Sequence, residues 1–171
     1  MATVRFLKAA AAVVLFNGVL YLSLPSEAQA GPERDAARYT MELKTAKDAK
    51  TKANALHELG KLAAIMKSYA AEALPDIYKS LDDKDASVRA AAAQALGACD
   101  EPAEKAVPLL LKLVKEDKDD SVKIGAVKGL GSMGPNAKAA LGTLRELAAD
   151  KKSKIGGAAK AAAKAIQAKG M

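Results

Sequence analysis

The sequence predicts an all-α fold, an α-solenoid (superhelix) of about four antiparallel helix pairs. Three observations carry that expectation. One residue register recurs along the chain with a period near 34, apolar residues within each copy fall at helical spacing, and Pro or Gly punctuates the seams between copies.

Residues 1–30 have the three parts of a secretory signal: Arg5 and Lys8 as a basic start, an apolar run from Ala9 to Leu22, and Ala28-Gln29-Ala30 before Gly31. Cleavage after Ala30 is expected, which places the mature chain in a periplasm or outside the cell. The run is too short and too rich in Ala for a membrane span of about 20 strongly apolar residues, so no transmembrane span is expected in the mature chain. The remaining 141 residues are one domain's worth of chain. Residues 31–38 read as a short polar lead. Phe6 and Phe16 both lie in the signal, so the core must be aliphatic. Cys99 is the only cysteine, so no internal disulfide can staple the fold even in an oxidising compartment.

The register reads Asp, three residues, Lys or Arg, two residues, Ala, three residues, Leu-Gly. Its copies are Asp48, Lys52, Ala55, Leu59, Gly60; then Asp85, Arg89, Ala92, Leu96, Gly97; then Asp119, Lys123, Ala126, Leu130, Gly131. The Asp sits where a helix N-cap belongs, and Val88, Ala92, Ala95, Leu96 and Cys99 illustrate the apolar stripe that follows. This is helix B of each repeat. Helix A precedes it, marked by Leu74-Pro75-Asp76-Ile77, Val107-Pro108-Leu109-Leu110 and Leu141-Gly142-Thr143-Leu144. Pro75 and Pro108 occupy one slot, at the start or a kink of helix A. Asp100-Glu101-Pro102 and Gly134-Pro135-Asn136 mark two seams. No breaker separates the first B helix from Leu74, so Thr51–Ala73 is expected as one long helix or two nearly continuous ones. The expected repeats are 39–69, 70–102, 103–136 and 137–168, with a tail at 169–171. The fourth keeps helix A but loses Leu-Gly; Ile155, Ala159, Ala162 and Ile166 leave a narrow apolar stripe, as in a terminal cap.

With these residues in view, Leu81-Asp82-Asp83-Lys84-Asp85-Ala86-Ser87-Val88-Arg89-Ala90-Ala91-Ala92-Ala93-Gln94-Ala95-Leu96-Gly97 and, less closely, Asp119-Asp120-Ser121-Val122-Lys123 resemble the HEAT-like repeat family, in the short version known from phycobilisome lyases. The resemblance covers about residues 40–150. It implies that the Asp and the Arg or Lys of the motif tie adjacent turns together, pairing Asp85 with Arg89 and Asp119 with Lys123 as structural residues. The family serves scaffolds, transport receptors and lyase subunits alike, so the implied activity ranges from protein binding to an accessory lyase subunit. The export signal departs from the lyases, which work inside the cell.

No Gly-rich phosphate loop, Ser-His-Asp order or HExxH pair is present, and a non-enzymatic role is expected, with no cofactor and no metal. His57, the only histidine, shares a polar column with Gln94 and Lys128, nine residues after each repeat Asp, and these three are the expected contacts to an unknown protein partner. Cys99 shares an apolar column with Leu62 and Met133 and reads as core. The clusters Asp82-Asp83-Lys84-Asp85 and Asp117-Lys118-Asp119-Asp120 lack the Gly and distal Glu of a calcium loop and read as turns and caps.

Charge is uneven. Residues 31–150 balance 19 acids with 19 Lys or Arg, while Lys151, Lys152, Lys154, Lys160, Lys164 and Lys169 follow with no acid. That end reads as a solvated cap helix or as a site for an anionic envelope component. Export and the lack of aromatic platforms argue against a physiological nucleic-acid partner.

Overall fold

The computed structural model describes residues 31–99, 101–150 and 153–168, together with the backbone of 12–16 and 19–23. The signal-like segment, Asp100, Lys151, Lys152 and the tail with Lys169 otherwise lie outside the described residues. The apolar run contributes two short strands, β1 (Ala12–Phe16) and β2 (Val19–Ser23), paired antiparallel with Phe16 opposite Val19. Every other described element is helical.

Four helix pairs follow one another. They are α1 (Pro32–Thr45) with α2 (Ala49–Ile65); a 3₁₀ segment Lys67–Ala73 leading into α3 (Leu74–Ser80), with α4 (Ala86–Ala98); α5 (Ala103–Glu116) with α6 (Asp120–Met133); and a 3₁₀ segment Gly134–Ala140 leading into α7 (Leu141–Ala149), with α8 (Gly156–Ala168). The B helices α2, α4, α6 and α8 stack in one layer, with the α4–α6 contact the most extensive. One continuous core runs between this layer and the A helices, through Leu56, Leu59, Ile77, Leu96, Leu110, Leu130, Leu144 and Ile166, all fully buried. No single pair could bury both of its apolar stripes alone.

The repeat register explains the joints. Asp48 caps α2 by accepting from the Thr51 N–H at 2.8 Å, and Asp85 caps α4 by accepting from the Ser87 N–H at 2.8 Å. The Leu of each Leu-Gly faces the core. The Gly lets the next B helix approach: a Cβ on Gly97 would lie 2.1 Å from the Gly129 carbonyl oxygen, one on Gly60 3.3 Å from Ala95, and one on Gly131 3.2 Å from Ala162. α6 ends at Gly134, whose φ of 57° lies in the left-handed region that favours glycine. Pro75 stands in the first turn of α3 and Pro108 inside the continuous helix α5.

Two expectations are corrected. Residues 32–38 are no polar lead but the first two turns of α1, with Ala36 buried and the Thr40 hydroxyl donating to the Ala36 carbonyl at 2.8 Å. Pro32 at the helix start, with Glu33 and Asp35 in the first turn, favours that helix. The run Thr51–Ala73 takes the second of its two expected forms, two helical segments parted by Met66 alone, whose φ of −146° and ψ of 115° are extended. The seam thus falls at 66 and not after 69, because the chain must turn there to bury Ala70, Ala73 and Ile77 from a new helix. In the fourth pair Ile155, Ala159, Ala162 and Ile166 are all buried, as the cap reading requires.

Candidate functional site

Two cations of the register, Lys52 and Arg89, act between repeats. Arg89 is buried and its guanidinium forks onto Asp117 at 2.8 and 3.1 Å, donates to Asp119 at 2.9 Å, and reaches the carbonyls of Asp83 and Lys84 at 2.9 and 3.2 Å. Lys52 reaches Asp83 at 2.9 Å. α2 and α4 thus each grip the A–B loop of the following repeat. This corrects the pairing of Asp85 with Arg89: the Asp85 carboxylate takes the Ser87 N–H and hydroxyl, and the carboxylates that Arg89 meets, Asp117 and Asp119, belong to the next repeat. Asp119 stands at the N-cap of α6 without a cap hydrogen bond, its carboxylate serving Arg89 instead of Lys123. The Arg89 guanidinium holds the Asp117 carboxyl below the usual carboxylate range, and the Asp85 N–H, helped by Lys52, does the same for Asp83.

A second tie closes the seam between the second and third repeats. The half-buried Tyr78 hydroxyl donates to Glu101, and burial together with that carboxylate pushes its pKa well up. Beside it, Cys99 is buried, donates its thiol to the Ala95 carbonyl at 3.2 Å, and is pushed up to about 12 by burial and then by Glu101. Such a thiol is inert as a nucleophile. The Tyr78–Glu101 pair carried no signal in the sequence, because the two stand 23 residues apart, one in helix A and one in the seam, at places outside the register.

The polar column lies on the open face of the B layer. His57 and Lys128 are exposed and Gln94 half-buried. His57 and Gln94 line one hollow of about 510 Å³ with Lys61, Ala64 and Ile65; Gln94 and Lys128 line a second of about 480 Å³ with Ala158, Ala161 and Ala165. Gln94 and Ser132 belong to both, so the two hollows form one groove across all four B helices. Its floor is Gly60, Ala95, Ala98 and Gly131, the small residues that the close helix stacking demands. Ile65 is 76% exposed at the groove's edge.

A family model described as HEAT repeats matches residues 40–131 and again 77–167. The chain belongs to the HEAT-repeat family. The overlapping matches span α1 through α8, so this HEAT-repeat protein is, in its described part, a helical repeat scaffold of the protein-interaction kind. HEAT repeats are typically non-catalytic. No curated protein matches the chain.

Of the lysine-rich end, Lys154, Lys160 and Lys164 are exposed, and Lys154 lies 3.6 Å from Asp120. Among the described residues, no group of three or more His, Cys, Asp and Glu is placed to hold a metal. No described helix is long and apolar enough to cross a membrane.

Proposed function

We propose that this HEAT-repeat protein is exported and serves as a non-catalytic scaffold that holds a protein partner in the groove of its B helices. One observation carries the reading: His57, Gln94 and Lys128, equivalent places in three repeats, line two adjoining hollows that share Gln94 and Ser132. The signal-like residues 1–30 support export. The test is affinity capture from a cell-envelope extract, comparing the unaltered protein with one in which His57, Gln94 and Lys128 are all Ala, alongside fractionation of the full chain for export. Undiminished capture by the triple variant refutes the groove, and retention in the cytoplasm refutes export.

A second reading has its own support in the exposed Lys154, Lys160 and Lys164, with no acid after Asp150. It makes the C-terminal end an electrostatic contact to an anionic envelope component, lost at high salt. Truncating that end is a poor test, since α8 buries Ile166 and Ala162. Lys160→Glu with Lys164→Glu keeps the helix and reverses the charge; unchanged binding to anionic surfaces ends this reading.

A further inference from the structure

Sorting charge by layer shows an asymmetry that sorting it along the chain conceals. The B helices α2, α4, α6 and α8 carry eight Lys or Arg and two acids, Glu58 and Asp120. Glu58 is held by Lys61 at 2.7 Å and Asp120 by Lys154 at 3.6 Å. The A side, α1, α3, α5 and α7 with the two 3₁₀ segments, is nearly balanced, with ten against eight. The groove follows the layer it lies in. Its charged lining is Lys61, Lys67 and Lys128 with His57, and no carboxylate, whereas three other surface hollows include acids such as Glu72, Asp82 and Asp150. Between those cations the floor is alanine and glycine. Small side chains there leave room for a large apolar group, and Ile65 adds an exposed apolar edge.

We propose that the groove binds an acidic polypeptide segment carrying a bulky apolar anchor, with carboxylates facing His57 and Lys128 and the anchor seated over Ala64 and Ala98. This rests on the groove reading above and adds the chemistry of the partner. Complementary charge sets approach and register, while the desolvated anchor holds the segment in place. A purely anionic polymer fits less well, because it has nothing to place on the alanine floor.

The test uses the purified protein and a short fluorescein-labelled peptide with a Leu-Phe pair between runs of Glu, followed by fluorescence anisotropy. Binding is expected to weaken about tenfold with His57→Glu and Lys128→Glu together, and to weaken similarly when Leu-Phe becomes Ala-Ala. The variant residues are exposed, so the fold is retained and melting confirms it. Equal binding by a peptide with Lys in place of every Glu, or no effect of the charge reversals, overturns the proposal. So does polyphosphate displacing the peptide while the Leu-Phe pair makes no difference, which points to an anionic polymer instead. Capture from envelope extract by Ala64→Trp and Ala161→Trp variants separates the two levels. If these groove-filling changes abolish capture while charge reversal does not, the groove stands and its acidic partner falls; if capture survives both, both fall.

Discussion

Gly97→Ala adds one methyl group to the tightest place in the stack. The new Cβ would stand 2.1 Å from the Gly129 carbonyl oxygen and 2.4 Å from both its carbonyl carbon and its Cα. Carbon and oxygen rest at about 3.3–3.6 Å, so α4 and α6 must part by more than about 1 Å. Neither side can yield by changing rotamer, because both are backbone. Overpacking costs about 1–3 kcal/mol and more where nothing can move, against a gain of at most about 1 kcal/mol for Ala over Gly in a helix, less so near the end of α4. The net loss is about 2 kcal/mol, or roughly 4–8 °C in Tm for a chain of this size. Gly142→Ala is the control. It is also a helical glycine, yet nothing lies within 4 Å of its added Cβ, and it should hold or raise the Tm. Thermal and urea unfolding followed by helical circular dichroism measures both. A Gly97→Ala protein that melts with or above the unaltered one refutes the claim that backbone contact through this glycine sets the α4–α6 distance.

Arg89→Met should cost about 3–5 kcal/mol, because it leaves Asp117 buried without its cation. It should also flatten the acid limb of stability. The Asp117 carboxyl is depressed in the folded state by Arg89, so its contribution is complete above the unfolded value near 3.9 and is lost as pH falls below it. An acid limb of the same steepness in the Arg89→Met protein would count against this. Cys99 should resist thiol reagents in the native protein at neutral pH and react readily once unfolded in urea, since its thiol is buried and its pKa is pushed up to about 12; fast native labelling contradicts its place in the core. Deleting residues 31–38, harmless if they were a lead, should lower the Tm by several degrees through loss of the Ala36 packing and the start of α1; an unchanged melting curve contradicts the helix.

The parts of the fold legible in the sequence were those the register repeats. Asp48 and Asp85 announced their helices because an N-cap acts within a few residues of itself. Leu59, Leu96 and Leu130 announced the core because burial follows helical spacing. The arrangement of His57, Gln94 and Lys128 along one face was legible for the same reason. What stayed hidden depends on the register between repeats. Arg89 carries the same local sequence whether it meets Asp85 or Asp117, and only the stacking decides for Asp117. The break at Met66 has no Pro or Gly to mark it, and follows from the burial of Ala70 and Ala73. The positive excess along the chain sits at the end, in part on α8; across layers the cations of the B helices stand apart from the acids of the A–B loops.

The direction of the cation ladder makes the two ends of the solenoid unequal. Lys52 grips the second repeat and Arg89 the third, each through a loop acid two residues before the N-cap Asp, namely Asp83 and Asp117. In the fourth repeat Ser153 stands 34 residues after Asp119, where the next N-cap Asp belongs. At that junction Lys154 lies 3.6 Å from Asp120, with side chains 83% and 50% exposed. An exposed pair is worth about 0–1 kcal/mol, well below a buried Arg fork, so α8 depends on the burial of Ile166 and on the close approach of Ala162 to Gly131. In a stack held by nearest-neighbour contacts, the repeat with the weakest interface opens first. Native-state hydrogen exchange should therefore find the α8 amides opening at about 2 kcal/mol or more below those of α4 and α6. Equal protection across the three helices would mean that apolar contact alone equalises the junctions, and that the Arg89 ladder adds little to the cohesion of the stack.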